Sequence, residues 1–171
     1  MHKSALLRYF ETREEIFLRL TAEAWQEWSG ALRAELEMLT NLTPAAVAAV
    51  LAGTLAARGS FCDLLAQAPL NLERNVSVAA VRAFKLVTHS ELDAIAIVVR
   101  RLLPPLSEPD AVDLIAAATS LSGAFWQMAT PGPEIAALYR SDLRLSHAVI
   151  DVEARVRRLL TALIHGLMAP A

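Results

Sequence analysis

Two groups of polar side chains have a spacing that could bind a ligand. His89, Glu91 and Asp93 alternate along the chain, and His147 precedes Asp151 by four residues. A metal site needs three or four ligands that converge, whereas helix positions i and i+2 point in different directions. We therefore interpret both groups as solvated polar pairs. No metal site and no cofactor are expected.

Nucleophilic catalysis has no support in the sequence. The single cysteine, Cys62, stands beside Asp63, and a neighbouring carboxylate raises the pKa of a thiol rather than lowering it. Gly-x-Ser-x-Gly turns, Gly-rich phosphate loops and His-Glu-x-x-His helices are missing from the sequence. We assign Cys62 to the core or to the wall of a pocket and expect the chain not to be an enzyme. An all-α enzyme or carrier is a third, separate hypothesis.

Basic side chains collect at the start of the chain. Lys3, Arg8 and Arg13 outnumber Glu11 among the first 13 residues, whereas residues 14–40 contain two arginines and six acidic residues. A basic tip on an acidic body is typical of a surface that contacts DNA phosphates. Arg13 also lies in the first turn of a predicted helix, where the helix dipole disfavours a cation. The alternative is that these side chains are only solvated surface charges.

Composition limits the class of protein. The chain has 171 residues, of which 55% are hydrophobic and 20% are charged, and its net charge is −2. These values exclude a disordered chain and a wholly basic nucleic-acid binder. One cysteine forms no internal disulfide, and the first residues have no signal-peptide pattern. The uncharged stretch 114–133 contains too many polar residues for a membrane span, so a cytoplasmic protein without membrane contact is expected.

Hydrophobic periodicity predicts an all-α protein. A Thr-x-x-Glu capping box at Thr12 opens a long amphipathic helix to about residue 39. Further helices are predicted over residues 45–57, 60–66, 77–102, 110–128 and 149–167. Gly59 is predicted to end the second helix in a left-handed conformation, and Pro69 to break the third. Residues 129–145 are predicted to form the longest loop, and no segment has strand periodicity.

The segment KSALLRYFETREEIF, residues 3–17, resembles a junction in TetR-family transcriptional regulators. In that family the DNA recognition helix ends in Leu-Tyr-x-(His/Tyr)-Phe, and the next helix opens with (Ser/Thr)-(Lys/Arg)-Glu-(Glu/Ala)-(Leu/Ile). PLNLERNVS at 69–77 and AVRAFK at 80–85 resemble a C-terminal subtype of the same family. The resemblance implies a TetR-like helical bundle, with residues 1–11 as the remnant of a helix-turn-helix domain and residues 12–171 as a ligand-binding and dimerisation domain. It implies DNA contacts by Lys3, Ser4, Arg8, Tyr9 and Arg13.

The sequence departs from the family pattern at its start. Met1 falls inside the segment that resembles the recognition helix, whereas two helices precede that helix in TetR-like proteins. Leu7 also stands where the family usually has a tyrosine that touches a phosphate. Because a recognition helix needs a supporting helix, we expect operator DNA to be bound only if a complete helix-turn-helix is restored. The leading hypothesis is a ligand-responsive regulator, probably a repressor, and the alternative is a DNA-free module that binds small molecules and dimerises.

A ligand pocket is predicted between the helices, where helical bundles hold small molecules. Aromatic side chains would form its apolar wall, and three polar side chains would orient the ligand. The predicted set is Phe61, Arg82, Phe84, Thr88, Trp126 and Gln127. The expected effector is a lipophilic small molecule of unknown identity. The alternative is that the aromatic residues belong only to the core.

A homodimer is predicted through a four-helix bundle made by the helices at 110–128 and 149–167 of two subunits. The first helix offers small residues, Ala116, Ser120 and Gly123, that allow close approach of a partner helix. The second has apolar residues at a spacing near 3.5, which favours a helix crossing of about 20°. Its predicted interface residues are Val152, Val156, Leu159, Leu163 and Leu167. The alternative is that both stripes face the chain's own core.

Overall fold

The computed structural model describes residue 10 and residues 12–169. Throughout that part of the chain, helices are joined by short turns and there is no strand, which confirms the predicted all-α fold. The helices are α1 (Arg13–Glu37), α2 (Pro44–Ala56), α3 (Gly59–Gln67), a π-helical turn (Ala68–Leu72), α4 (Val78–Leu102), α5 (Glu108–Ala129), α6 (Pro133–Ser141), a 3-10 turn (Leu143–Ala148) and α7 (Val152–Leu167).

The starts of the helices follow local capping chemistry. At Thr12, Thr43 and Ser77 the side-chain hydroxyl accepts a hydrogen bond from the backbone amide three residues later, at 3.1 to 3.2 Å. These bonds satisfy amides that have no partner within the helix. Ser107 and Asp110 form a reciprocal capping box at the start of α5. The helix starts predicted at these residues are therefore confirmed to within one or two positions.

Gly59 and Pro69 differ from their predictions. Among the described glycines none has a positive φ, and Gly59 is the first residue of α3 instead of a left-handed helix end. Pro69 does not break the helix after Gln67, because it occupies an N-terminal position of the π-helical turn, where a missing amide proton costs little. The Glu73 amide closes that turn by donating to the Ala68 carbonyl at 3.0 Å.

The predicted loop at 129–145 is mostly helical. Gly132 and Pro133 start α6, and the 3-10 turn follows it without a long irregular stretch. Both segments contain no buried residue. The last helix begins at Val152 and not at residue 149, because the Asp151 side chain accepts from the Ala154 amide at 2.9 Å. Asp151 is thus used as a helix cap, in place of the i,i+4 pair with Arg155 that its spacing favours.

Four pairs of helices make the bundle. Helix α1 packs along α4, α2 packs along α7, α3 packs against α5, and α5 also contacts α4 and α7. The buried side chains of these helices form one continuous core, which includes Trp28, Leu32 and Leu51 at no exposure. Burying one such side chain contributes about 1.5–3 kcal/mol. The core therefore fixes α1, α4 and α5 relative to one another.

Within the described residues, no single helix is both long enough and apolar enough to cross a bilayer. Only the pair Pro44–Ala56 and Gly59–Leu72 meets that criterion when combined, and the two are bent by 87°.

Candidate functional site

The largest opening in the bundle is a cleft of about 610 Å³, which we name the α4–α5 cleft. Helix α4 forms one wall, α5 forms the opposite wall, and the π-helical turn and Trp25 of α1 close the end. Its lining residues are Trp25, Leu65, Ala68, Pro69, Glu73, Phe84, Lys85, Thr88, His89, Leu92, Asp93, Glu108, Val112, Ala116, Thr119 and Ser120. The volume is in the range of about 300–1,000 Å³ that is typical of small-molecule sites.

An aromatic cluster in the core supports the end of this cleft. The ring of Trp25 meets Trp28 edge to face at 5.3 Å between centroids, and Phe61 lies 5.7 Å from both. Trp28 is fixed in turn, because its indole nitrogen donates to Thr54 Oγ1 at 3.1 Å. Trp25 therefore presents a positioned aromatic surface to the cleft.

The charged side chains that line the α4–α5 cleft are all paired. Lys85 Nζ lies 2.7 Å from Glu73 Oε1, and His89 Nδ1 lies 2.9 Å from Asp93 Oδ2. Glu108 contacts Arg100, outside the cleft, at 3.7 Å. Since each charge already has a partner, the cleft does not need a charged ligand for electrostatic compensation, and its remaining surface is mostly apolar.

A second opening of about 410 Å³ lies between α1 and the first half of α4, and we name it the α1–α4 cleft. Small and medium apolar side chains form its floor, and charged side chains of α1 form its rim. Its lining residues are Phe10, Glu15, Leu18, Arg19, Ala22, Glu23, Gln26, Ala80, Ala83, Phe84 and Val87. Phe84 lines both clefts.

The structure brings two of the six predicted ligand residues to the α4–α5 cleft, Phe84 and Thr88. Phe61 lies one layer deeper, in the aromatic cluster, and Arg82 is exposed on α4. Neither of these two lines either cleft.

The other two predicted ligand residues, Trp126 and Gln127, lie at the junction of α5 with α3. A Cβ atom added at Gly59 would collide with the Trp126 ring, and Gln127 Nε2 donates to Asp63 Oδ1 at 2.6 Å. Both side chains are therefore used in contacts between helices of the chain itself.

Sequence reasoning missed the other apolar walls of the cleft. Trp25 and Leu92 are at core-like positions of amphipathic helices, and the pattern alone assigns both to the core. Leu92 continues the spacing of Phe84 and Thr88 by four residues, so one helical face carries all three. That spacing is a signal that could have placed Leu92 in the predicted pocket.

The predicted dimer residues divide into three groups. Ala116 and Ser120 are exposed and line the α4–α5 cleft. Gly123, Val152 and Val156 are buried inside the chain, and a Cβ at Gly123 would lie 3.1 Å from the Ala66 nitrogen of α3. These three therefore pack inward, because α5 and α7 each need one face for the chain's own core. Only the half-buried stripe of α7 is left for a partner: Leu159, Leu163 and Leu167.

Of the residues predicted to contact DNA, only Arg13 lies within the described part of the chain. Lys3, Ser4, Arg8 and Tyr9 lie outside it. Arg13 is exposed, and its guanidinium lies 5.2 Å from the centre of the Phe17 ring. The start of α1 is attached to the bundle, because Thr12 Oγ1 donates to the Asn75 carbonyl at 3.3 Å.

The isolated polar residues have structural surroundings. Cys62 is fully buried in α3, which raises its thiol pKa to about 11 by desolvation. A thiol with a raised pKa is a poor nucleophile at neutral pH. In the described part of the chain, no group of three or more His, Cys, Asp or Glu side chains could hold a metal ion. His89 and Asp93 form an exposed pair, as the spacing predicted.

The fold and the clefts define an all-helical bundle with an apolar opening between its helices, a typical place for a small-molecule site. Residues 22–171 match the family model described as "Tetracyclin repressor-like, C-terminal domain". The chain therefore belongs to the TetR-like C-terminal domain family. A search of curated proteins finds no match.

Proposed function

We propose that this chain is the effector-binding and dimerisation part of a ligand-responsive transcriptional regulator that acts as a repressor. The observation that carries the proposal is the α4–α5 cleft, an apolar opening of about 610 Å³ in a chain of the TetR family. Trp25, Phe84 and Leu92 would form the apolar surface against the effector.

The chemistry of the cleft favours an uncharged, lipophilic effector. Glu73 pairs with Lys85, and Asp93 pairs with His89, so an ionic ligand would have to displace an existing pair. Apolar contact with the aromatic and aliphatic walls contributes about 25 cal/mol for each Å² removed from water. Affinity would therefore come mainly from burial of apolar surface.

Dimerisation is proposed through the outer stripe of α7. Leu159, Leu163 and Leu167 repeat at a spacing of four and are half-buried in the single chain. Pairing this stripe with its copy would remove apolar surface from water on both subunits and form a two-fold symmetric contact. Ala116 and Ser120 of α5, which are exposed, would border the same interface.

Operator DNA would be read by a complete helix-turn-helix, of which residues 1–11 are proposed to be the end. The effector would act by changing the separation of the two DNA-reading heads in the dimer. Such a change requires that the effector bind the two conformations with different affinity.

The experiment uses the regulator with a complete helix-turn-helix. Operators are selected from random duplex DNA, and DNA release by a library of uncharged lipophilic compounds is followed by fluorescence anisotropy. The proposal predicts an enriched sequence that at least one compound releases, and no release from a variant with a filled cleft, Thr88→Trp. Enrichment of no sequence by a protein that still binds lipophilic compounds would support the DNA-free module instead.

A further inference from the structure

Phe84 stands between the two clefts. Its ring lines the α1–α4 cleft of about 410 Å³ and also the α4–α5 cleft of about 610 Å³. Phe84 is the residue that the two linings share, and it is only 6% exposed. The two clefts are therefore neighbouring spaces with one side chain between them.

The helix geometry shows how thin this barrier is. On α1, Ala22 lines the α1–α4 cleft and Trp25 lines the α4–α5 cleft. These positions are three residues apart, which is a rise of about 4.5 Å along the helix. On α4 the same change occurs between Ala83 and Lys85, on either side of Phe84.

The side chains beyond Phe84 are small. Ala22, Ala80 and Ala83 all line the α1–α4 cleft. No larger ring on that side fills the place that Phe84 would leave, so loss of its ring would open a passage. The position of Phe84 is maintained from the other side, since Lys85 Nζ lies 5.4 Å from the centre of its ring and is paired with Glu73.

We propose that Phe84 is a partition that closes the α4–α5 cleft at the α1 side and sets the maximum length of the apolar effector. The inference rests on the proposed function, because it takes the α4–α5 cleft as the effector site. It assigns to the site an elongated apolar ligand whose far end stops against the Phe84 ring. The α1–α4 cleft is then a space that the partition withholds from the ligand.

The test measures how affinity depends on ligand length. Nile red bound to the full chain is displaced by straight-chain primary alcohols from hexanol to octadecanol. In the original chain, affinity is expected to rise about fourfold for each added methylene until the alcohol reaches Phe84, and then to level off. In Phe84→Ala the rise is expected to continue to longer alcohols, because the passage into the α1–α4 cleft is open.

Two further variants keep the test independent of folding. Leu18→Ala widens the α1–α4 cleft alone, so its affinities should level off at the same alcohol as in the original chain. Phe84→Leu retains an aliphatic core residue and should give a smaller extension in the same direction. Thermal melting followed by circular dichroism shows which variants are folded, and Phe84→Leu decides the question if Phe84→Ala is unfolded.

Different results contradict different claims. If the folded Phe84 variants level off at the same alcohol as the original chain, the partition is contradicted and the effector site stands. If Leu18→Ala extends the series by itself, the long alcohols reach the α1–α4 cleft by another route and the partition is again contradicted. If no alcohol displaces Nile red from the original chain, the inference fails together with the effector site on which it rests.

Discussion

Asp110 connects one carboxylate to the start of α5. Its Oδ2 accepts from the Ser107 amide at 2.9 Å, while the Asp110 amide donates to Ser107 Oγ at 3.3 Å. The hydrogen bonds from the Ser107 hydroxyl and then from its amide lower the pKa of Asp110 below its ordinary value of 3.8. A carboxyl whose pKa is lower in the folded state stabilises the fold when it is ionised.

The first prediction concerns the pH dependence of this cap. Asp110→Asn is expected to lower the melting temperature at pH 7, where the carboxylate is ionised in both folded and unfolded chains. The difference from the original chain should shrink as the pH falls below 3.8 and through the lower folded pKa, because protonation removes the same interaction. Melting curves at neutral and acidic pH measure it. A difference that stays constant with pH would show that the carboxylate charge is not the cause.

Residue-scale features were predictable where the cause is local. Thr12, Thr43, Ser77 and Ser107 act as caps because a hydroxyl needs only the amide three residues later. The lining of a cleft is different, since it depends on which helices meet. Thr88 was assigned to the pocket, whereas Trp25 looked like any other core residue in the sequence.

The junction of α3 with α5 depends on one missing side chain. Gly59 begins α3, and the ring of Trp126 occupies the space that a Cβ would fill. This close approach explains why the sequence has glycine there, although its backbone does not require a positive φ. A substitution at Gly59 would push the ring of Trp126 away from α3.

The second prediction follows from this contact. Gly59→Ala is expected to destabilise the fold by about 1–3 kcal/mol, the usual cost of overpacking. Gly30→Ala is the matched control, because a Cβ at Gly30 meets nothing within 4 Å and lies in the middle of α1. The control should stabilise by about 0.5–1 kcal/mol through helix propensity. Chemical denaturation measures both, and equal effects of the two substitutions would contradict the close contact.

Helices were predictable from periodicity, and their ends were less so. The stripes of α1, α4 and α5 gave the right segments because each buries one face against another helix. Helix α6 was missed, since Gly132 and Pro133 resemble a loop and the helix buries no residue. Gly59 was assigned to a helix end because the Trp126 ring, 67 positions away in the chain, could not be inferred from the neighbouring residues.

At the scale of the whole molecule, α7 separates the chain's core from a proposed partner. Its buried face contains Val152, Val156, Leu160 and Ile164, whereas Leu159 and Leu163 are only half-buried. The sequence stripe combined residues from both faces, because a spacing of 3.5 and a spacing of 3.6 are hard to distinguish over a helix of 16 residues.

The third prediction tests the outer face of α7. Leu163→Arg places a charge in the proposed interface and is expected to convert a dimer into a monomer at micromolar concentration. Leu86→Arg is the matched control, because Leu86 is 55% exposed on α4, far along the bundle from the proposed interface in sequence. Sedimentation velocity measures the mass, and circular dichroism checks the fold, since Leu163 also packs against the core. A dimer that persists in a folded Leu163→Arg chain would contradict this interface.

The central claim is that the α4–α5 cleft binds an apolar small molecule. Its most direct test is the dissociation constant of Nile red, measured by fluorescence, for the original chain, Thr88→Trp and Ser90→Trp. Thr88 lines the cleft, whereas Ser90 is an exposed hydroxyl residue two positions further along the same helix. We predict that Thr88→Trp fills the cleft and weakens binding at least about tenfold, a cost of about 1.4 kcal/mol, while Ser90→Trp leaves it unchanged. Equal binding by both folded variants would contradict the claim.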